Sequence, residues 1–488
     1  MAKTVIVIGA GFGGLAVAAI LAKRGFQVKV FEKNARAGGR AAIIENNGFK
    51  FDSGPSWYMM PEAFERFFAI FDKKPEDFYH LVKLNPTYRA FFDNAAFDIS
   101  TDIPKMLELF EKLEAGSSLK FTRILKEAKY IYHTAIKEIL YRDPSFQDFL
   151  QPKLILKFLQ KNLFQSYDQF IKKNFHNEKI RRILSWHTIF LGGTPYNVPA
   201  LYILMLYADF KLGTFFPEKG FYSVVEALVK IATDQGVEFH YQEAVETITI
   251  KNKLATSVKT NTTEYQADLI ISNADYYHTE QSLLPASFRS YSADYWPKKV
   301  FSPSVLLIFV GTKKKFPQLL HHNYYFSNEA AEHFKTIDQR TAWPENPSFY
   351  ISVRSKDDES AAPKNGEAIM FLVPIANGLE DTEAERQHLK TYLYQKISKI
   401  LGEDFSKAIV HEKITSLAEQ ITDFHAFNGN AFGLANTLWQ TGIFRPHNQS
   451  NKLKNLFFTG TTTAPGIGVP LALISGEVTA TKICKIYE

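Results

Sequence analysis

The first thirty residues show two apolar runs separated by a helical pattern. Residues Thr4 to Ile8 are apolar and rich in β-branched side chains, which is typical of a strand buried on both faces. Apolar side chains recur at helical spacing from Leu15 to Leu21, and a second apolar run lies at Gln27 to Phe31. The order strand, helix, strand predicts the start of a parallel sheet that is covered by helices.

Helical spacing dominates between residue 86 and about residue 213. The helices that it predicts span residues 103–113, 119–141, 153–174 and 177–191. After residue 220, helix and strand patterns alternate. They predict a helix over 223–233, strands over 236–240, 245–250 and 269–271, and a last buried strand over 455–460 that is followed by a terminal helix. Between these stretches the pattern predicts strands over 300–310, 348–353 and 368–373, and a helix over 383–401.

A glycine-rich turn joins the first strand to the first helix, with the spacing G-x-G-x-x-G. Gly9 permits a tight turn, Gly11 lets the backbone approach a pyrophosphate, and Gly14 lets the helix lie close to the strand. Phe12 and Gly13 complete the turn, and the amides at the start of the helix are expected to face phosphates. The turn therefore predicts a nucleotide site.

An acidic residue closes the second strand, 23 residues after Gly9. Glu32 stands where a dinucleotide fold places the carboxylate that binds ribose hydroxyls, and Lys33 follows it. The strand, turn, helix, strand and acid agree with one another, which makes the glycine pattern more specific than it is alone.

The composition supports a large folded core and no metal centre. Of the 488 residues, 45% are hydrophobic and 22% are charged, which excludes a disordered chain. Cys484 is the single cysteine, so no intramolecular disulfide can form, and no zinc, iron–sulfur or haem ligand set stands out. We expect no metal, and a reducing cytoplasm as the compartment.

The positive charge is concentrated in the helical stretch. The net charge of +6 is mild for this length and does not indicate a nucleic-acid partner. Residues 120–182, however, include 14 basic and 6 acidic side chains. The longest apolar run, residues 198–208, is shorter than the roughly 20 residues that cross a bilayer, so any membrane contact is expected to be peripheral.

A second glycine element, Gly38-Gly39-Arg40, follows the acid. Together with the glycine turn and Glu32 it resembles the large flavoprotein group that includes amine oxidases, protoporphyrinogen oxidase and carotenoid desaturases. The resemblance implies FAD, bound without a covalent link, with the Arg40 guanidinium on the pyrophosphate.

Further phrases are similar to those of the carotenoid desaturases along essentially the whole chain. They are Phe-Asp-Ser-Gly-Pro at 51–55, Ser-Asn-Ala-Asp at 272–275, and the closing turn at 460–470. The chain is identified as a member of that family. This implies that the backbone of Val245 pairs with the adenine edge and that residues 54–56 lie beside the flavin. The residues expected to contact FAD are Gly9, Gly11, Phe12, Gly13, Gly14, Glu32, Lys33, Gly39, Arg40, Gly54, Pro55, Ser56, Val245, Asn273, Gly460, Thr461, Gly468 and Val469.

The expected fold is α/β, with a Rossmann-type FAD-binding domain assembled from discontinuous segments. These segments are 1–85, 216–300 and 426–488. Residues 86–215 are expected to form a helical region that faces the substrate and the membrane, and residues 301–425 a substrate domain with a mixed sheet.

The family implies oxidation of a saturated carbon–carbon bond in an acyclic carotenoid. A hydride passes to flavin N5, a proton leaves the adjacent carbon, and a quinone or oxygen accepts the electrons. A helix that begins near Val469 would aim its positive end at the isoalloxazine. No catalytic residue is assigned, because the titratable candidates His187, Asp209, His240 and Asp275 are interpreted as structural.

A carotenoid is dissolved in the bilayer, so the enzyme has to dock to a membrane to receive it. An interfacial helix within 153–174 would provide this contact. Its cationic residues would be Lys153, Lys157, Lys161, Lys172 and Lys173, and its apolar residues Leu154, Phe158, Leu163, Phe164 and Phe170. The expected location is the cytoplasm, with peripheral attachment to the membrane.

Several functions share these motifs. The closing turn departs from the phrasing familiar from phytoene desaturases, which favours a 1'-hydroxycarotenoid 3,4-desaturase over a phytoene desaturase. A carotenoid cis–trans isomerase would use the same scaffold without net oxidation. A non-enzymatic carrier of prenylated proteins or lipids is a further alternative, against which Glu32 and Arg40 argue, and an amine oxidase fits the FAD motifs alone.

Overall fold

The computed structural model describes residues 2–143, 163–340 and 342–488. Within them the strands are β1 Thr4–Ile8, β2 Gln27–Glu32, β3 Ile43–Asn46, β4 Phe49–Asp52, β5 Leu81–Lys83, β6 Tyr88–Phe92, β7 Ala95–Ile99, β8 Phe215–Pro217, β9 Glu238–Tyr241, β10 Val245–Lys251, β11 Leu254–Thr260, β12 Glu264–Gln266, β13 Leu269–Ser272, β14 Ser304–Thr312, β15 His322–Tyr325, β16 Phe349–Val353, β17 Glu367–Ile375, β18 Ile409–Thr415 and β19 Leu456–Phe458. The α-helices are α1 Phe12–Lys23, α2 Pro61–Ala69, α3 Ile103–Leu113, α4 Ser117–Thr134, α5 Tyr167–Asn174, α6 Glu178–Ser185, α7 Leu204–Tyr207, α8 Tyr222–Asp234, α9 Tyr276–His278, α10 Ala330–Gln339, α11 Glu383–Leu401, α12 Leu417–Phe424 and α13 Val469–Tyr487.

A five-stranded parallel sheet forms the first layer, in the order β19-β13-β1-β2-β9. Its central strand β1 is apolar and buried from Val5 to Ile8. Helices α1, α8 and α13 pack against one face of the sheet, and the β10–β12 sheet belongs to the cluster on the other. The predicted α/β architecture is therefore confirmed. The strands come from separated stretches of chain, while the domain limits 1–85, 216–300, 426–488, 86–215 and 301–425 stay a prediction.

A seven-stranded mixed sheet forms the second layer, in the order β18-β14-β17-β16-β15-β6-β7. One face packs against α11, and the opposite face packs against α3, α4, α5 and α6. The predicted strands 300–310, 348–353 and 368–373 are present as β14, β16 and β17. Strand β14 begins only at Ser304, after Pro303, whose missing N–H ends strand pairing.

The expectation of helical structure directly after residue 86 is wrong. Strands β6 and β7 form a hairpin there and extend the seven-stranded sheet. The turn residues Asp93 and Asn94 separate two short runs, and Phe91 packs in a different core cluster from its neighbours Ala90 and Phe92. Two short apolar runs on either side of an Asp-Asn turn are the sequence pattern that indicates a hairpin.

Two helices of the 86–215 region are shorter than their predicted spans. In place of the helix expected over 119–141, α4 ends at Thr134 and a π-helical turn follows at Ala135–Ile139. In place of the helix expected over 177–191, α6 is followed by a 3-10 turn at Trp186–Leu191. The predicted span 103–113 is confirmed as α3. Of the span 153–174, the described part contains α5, and residues 153–162 lie outside the described residues.

Two members of the expected interfacial face are core residues. Leu163 and Phe170 are buried in the cluster beneath the seven-stranded sheet, and Phe164 packs against it, so these side chains do not form an exposed apolar face. Lys153, Leu154, Lys157, Phe158 and Lys161 lie outside the described residues. None of the helices in the described ranges has the length and apolar character to cross a bilayer.

Candidate functional site

The glycine turn brings strand β1 and helix α1 into direct contact. Gly9 has a φ of +94°, and a Cβ on Gly14 would overlap the Gly9 carbonyl oxygen. Helix α1 begins at Phe12 without a capping side chain, which leaves the amides of its first turn for a ligand. Any larger residue at Gly14 would separate strand from helix and move those amides.

Asn273 lies beneath this turn. Its side-chain amide donates to the Gly9 carbonyl over 3.3 Å, and a Cβ on Gly11 or Gly13 would come within 2.9 Å of its side chain. Gly460 lies against the same amide group, because a Cβ on Gly460 would be 3.1 Å from Asn273 Oδ1. Asn273 therefore lies between the Gly9–Gly14 turn and Gly460 and holds the two together.

The Glu32 carboxylate is fixed at the end of β2. One oxygen accepts a 2.9 Å hydrogen bond from the Ala10 amide and the other a 2.9 Å hydrogen bond from the Asn34 amide. Burial raises its pKa, and these backbone bonds oppose that effect by stabilising the anion. The Glu243 amide donates to the Glu32 carbonyl, which brings the start of β10, with Val245, beside the acid. A ribose and its base would thus find their two expected partners adjacent.

The Lys33 side chain contacts helix α12 and the residue that follows it. Its ammonium donates to the Thr422 carbonyl and lies 3.4 Å from His425, so it ties the first sheet to the end of α12. His425 in turn stacks on His278 at 3.9 Å, and burial lowers the pKa of His278 to about 4.

Arg40 lies across the first glycine turn. The Gly38 amide donates to the Ala10 carbonyl over 2.9 Å, and a Cβ on Gly39 would be 3.6 Å from the Gly11 Cα. The guanidinium donates to the Asn430 carbonyl, but its Nε–H has no partner among the described residues although it is buried. Burial lowers the pKa of Arg40 and the nearby Asp275 carboxyl raises it. An unpaired buried donor beside a backbone cradle fits a pyrophosphate.

The Gly54-Pro55-Ser56 segment is held against Arg40. A Cβ on Gly54 would be 2.6 Å from the Arg40 carbonyl oxygen, so only glycine allows this approach. The Ser56 hydroxyl lies 2.8 Å from the Tyr350 hydroxyl on β16, which joins the segment to the seven-stranded sheet. Residues 54–56 thus lie where the two sheets meet.

The closing turn precedes helix α13, which starts at Val469. The Gly460 amide donates to the Ser475 hydroxyl over 3.1 Å, and Gly468, with a φ of +125°, leaves the first turn of α13 without a capping side chain. Open amides and the positive end of α13 therefore border the turn.

Arg445 holds this turn, and sequence analysis missed it. The buried guanidinium donates to the carbonyls of Thr461 and Thr463, at 2.6 and 3.1 Å. It also donates to Leu434 O, Gln440 O and Asn436 Oδ1, each at 2.8 Å. Burial lowers its pKa only to about 10, so the side chain stays cationic at neutral pH. A fixed positive charge thus lies next to Thr461.

A group of aromatic side chains covers the face of the seven-stranded sheet next to Ser56. This group, here called the aromatic group, consists of Trp57, Tyr88, Trp186, His322, Tyr324 and Tyr350. Trp57 stacks on His322 at 4.3 Å, and Tyr324 lies 4.3 Å from Trp186. Trp57, Phe190, Leu372 and Phe432 border the same core but keep part of their surface accessible. Apolar and aromatic side chains therefore line this border between the sheet and the helices, and such lining is typical of sites for apolar ligands.

The titratable residues considered for catalysis lie in structural contacts. His187 Nε2 is 3.1 Å from Asp209 Oδ2 within the core. His240 stacks on Phe31 at 4.5 Å, and Asp275 caps the short helix α9 through the His278 amide. The described geometry gives none of them a contact with the glycine cradle other than the charge of Asp275 near Arg40.

The residues present fit FAD. A Cβ at Gly9, Gly11 or Gly14 would press against Ala274, Asn273 or the Gly9 carbonyl, so only glycines keep the turn this compact. The Glu32 carboxylate is held by two backbone amides, and the buried Nε–H of Arg40 lacks a partner among the described residues. Sequence motifs predicted these residues, whereas Arg445 and the aromatic group follow from contacts between distant parts of the chain.

Comparisons with known proteins agree with this geometry. Residues 12–484 match the family model described as flavin containing amine oxidoreductase. The chain is 39% identical over 483 residues to a protein of Haloarcula japonica named carotenoid 3,4-desaturase, which covers 98% of this chain and 97% of that protein. It is 31% identical to the zeta-carotene-forming phytoene desaturase of Myxococcus xanthus, over 99% of this chain and 94% of the relative. The crystal structure of an oxidoreductase from Methanosarcina mazei has the same fold, with a TM-score of 0.64, 18% identity, and coverage of 98% of this chain and all of that one.

Proposed function

We propose that this protein desaturates a 1'-hydroxylated acyclic carotenoid at the 3,4 bond. The chain belongs to the flavin containing amine oxidoreductase family and, within it, to the carotenoid desaturases, and is thus an FAD-dependent oxidoreductase. The observation that carries the proposal is the full-length similarity to the carotenoid 3,4-desaturase of Haloarcula japonica, joined to a cradle that fits FAD.

The protein contributes binding, orientation and exclusion of water. The glycine turn and Arg40 bind the pyrophosphate, Glu32 binds the ribose, and the aromatic group keeps water from the polyene. FAD, when bound, would supply the acceptor for a hydride from one C–H bond of the saturated carbon pair, while the adjacent carbon loses a proton and the double bond forms. The Arg445 guanidinium and the start of α13 give the closing turn a positive potential, which favours negative charge at that end of the site. A quinone or oxygen is the proposed electron acceptor.

Docking to an anionic membrane is part of the proposal, and helix α4 supports it. Its exposed residues include Arg123, Lys126 and Lys129, and Lys137 follows in the π-helical turn. Tyr130 on the same helix is 41% exposed. Cations interspersed with an exposed aromatic ring suit the headgroup layer of a bilayer.

The phytoene desaturase, the isomerase and the lipid carrier are the alternatives. The relatives named phytoene desaturase are 30–32% identical over nearly the same length, which makes that function the second candidate. An isomerase would give a product without new conjugation, and a carrier would not need the buried cationic Arg40.

The test is a liposome assay with FAD and a quinone. Phytoene and a 1'-hydroxylated acyclic carotenoid are offered separately, and products are followed by chromatography and absorption spectra. We expect a red-shifted product from the hydroxylated substrate only. Serial conversion of phytoene would establish a phytoene desaturase instead, and no new conjugation from either substrate would favour the isomerase or the carrier. A Gly14→Val variant is the control, since its side chain overlaps the turn and should abolish FAD binding.

A further inference from the structure

Two buried polar atoms of the aromatic group have no hydrogen-bond partner among the described residues. His322 and Tyr324 lie on the same face of β15, two residues apart and therefore about 7 Å from each other. The Nε2 atom of His322 and the hydroxyl of Tyr324 are both buried and make no hydrogen bond to any described residue. Buried polar groups in proteins are nearly always hydrogen-bonded, so this pair requires an explanation.

One nitrogen of the His322 ring has a hydrogen-bond partner. Its Nδ1 lies 2.7 Å from the Tyr350 hydroxyl, which in turn lies 2.8 Å from the Ser56 hydroxyl. Burial lowers the pKa of His322 well below its ordinary value, so the ring is neutral. If Nδ1 accepts from Tyr350, then Nε2 carries the ring proton and is an unpaired donor. If Nδ1 donates, Nε2 is an unpaired acceptor.

These atoms lie beside the half-buried side chain of Trp57. Trp57 is half-buried and covers the His322 ring at 4.3 Å, with the two planes 10° apart. Tyr324 lies 6.1 Å from Trp57 and 5.1 Å from Tyr350. The ring centroids of His322 and Tyr324 thus lie 4.3 and 6.1 Å from that of Trp57, so a group bound beside Trp57 would be near both side chains.

We propose that His322 and Tyr324 form a subsite that hydrogen-bonds a hydroxyl group on the end of the substrate. A hydroxyl both donates and accepts, so it satisfies Nε2 in either tautomer and the Tyr324 hydroxyl at once. A pure hydrocarbon end group leaves both atoms unpaired, and a site built for a hydroxyl discriminates against a substrate that lacks it. This inference rests on the proposed function, since it assigns the residues that recognise the hydroxylated end.

The experiment uses the FAD-loaded protein and two substrates, a 1'-hydroxylated acyclic carotenoid and the same polyene without the hydroxyl. Binding is read from quenching of tryptophan fluorescence, and turnover from kcat/KM in liposomes. We expect the wild-type protein to bind the hydroxylated substrate more tightly. Tyr324→Phe should weaken that binding and lower kcat/KM by about tenfold, the effect of one hydrogen bond, and should leave binding of the parent polyene equal or tighter.

Tyr325→Phe is the matched control, because Tyr325 is the next residue on β15, packs in the cluster on the opposite face and bonds to Asp93. It should leave the preference between the two substrates unchanged. His322→Phe keeps a ring against Trp57 and should reduce the preference as Tyr324→Phe does.

Two results separate this inference from the proposed function. If the protein desaturates the hydroxylated substrate but Tyr324→Phe and His322→Phe affect both polyenes equally, the subsite is refuted and the function stands. If the protein turns over only phytoene, the proposed function fails. The fluorescence titration then decides the subsite, which is refuted when the wild-type protein binds both polyenes equally well.

Discussion

Glu32 offers a quantitative test of the FAD site. In Glu32→Gln, one carboxylate oxygen becomes an NH2 group that faces a backbone amide, either Ala10 or Asn34, so one of two 2.9 Å hydrogen bonds is replaced by a contact between two donors. A hydrogen bond to a charged group contributes about 1.5–3 kcal/mol. The proposed bond from a ribose hydroxyl to the Glu32 carboxylate is of this charge-assisted kind, so its loss should lower FAD affinity by roughly 10- to 150-fold. Glu32→Ala, which loses both bonds and the ribose contact, should fall further.

The assay is titration of the flavin-free protein with FAD, followed by quenching of flavin fluorescence. Glu238→Gln is the matched control, because Glu238 opens the neighbouring strand β9 and its carboxylate is 53% exposed in an ion pair with Lys29. Circular dichroism verifies that each variant is folded. Unchanged FAD affinity in both Glu32 variants would refute the assignment of Glu32 to the ribose.

Three further predictions follow from the described contacts. Glu477 on α13 is buried, and burial raises its pKa from 4.5 to about 7, against the opposing effect of Arg66 at 3.1 Å. The stability that Glu477 contributes is complete below pH 4.5 and is lost as the pH rises to 7. The free energy of unfolding of the wild type in urea should therefore fall by about 3 kcal/mol over this window relative to that of Glu477→Gln. Parallel pH curves for the two proteins would contradict this. Gly14→Ala should yield folded protein without bound flavin, measured by absorbance at gel filtration, and normal flavin content would show that the overlap with Gly9 is relieved at no cost. Exchange of Lys126, Lys129 and Lys137 for Glu should reduce sedimentation with anionic liposomes, whereas the same exchange at the exposed Lys251, Lys253 and Lys259 of the β10–β11 hairpin should not; equal loss in both variants would argue against α4 as the docking face.

The local parts of the fold and site followed from the sequence. The turn at Gly9 and the acid at Glu32 were predictable because their constraints act within one strand, turn and helix, where φ angles and close approaches dictate residue type. The whole of α11 was predicted for the same reason, since its apolar spacing and the Gly402 that ends it are local signals.

The remaining parts depend on contacts between residues far apart in the chain. Arg445 is one arginine among many until the carbonyls of Thr461 and Leu434 surround it. The pairing of Tyr324 with Tyr350 in neighbouring strands is likewise a matter of register, which no single segment encodes. The hairpin at β6 and β7 was missed because a few alternating residues were outweighed by the helical pattern that follows.

The order of strands in the five-stranded sheet has a consequence for how the protein is made. Strand β1 pairs with β13, whose residues lie more than 260 positions later, and β13 pairs with β19 near the other end of the sequence. During synthesis the glycine turn therefore emerges long before Asn273 and Gly460, which hold it in shape. Pairings of such separation close slowly, because a long loop has to be ordered before any contact stabilises it. We expect the cofactor to bind as one of the last events of folding, so a supply of FAD would raise the yield of folded protein by trapping the finished sheet rather than by guiding its assembly.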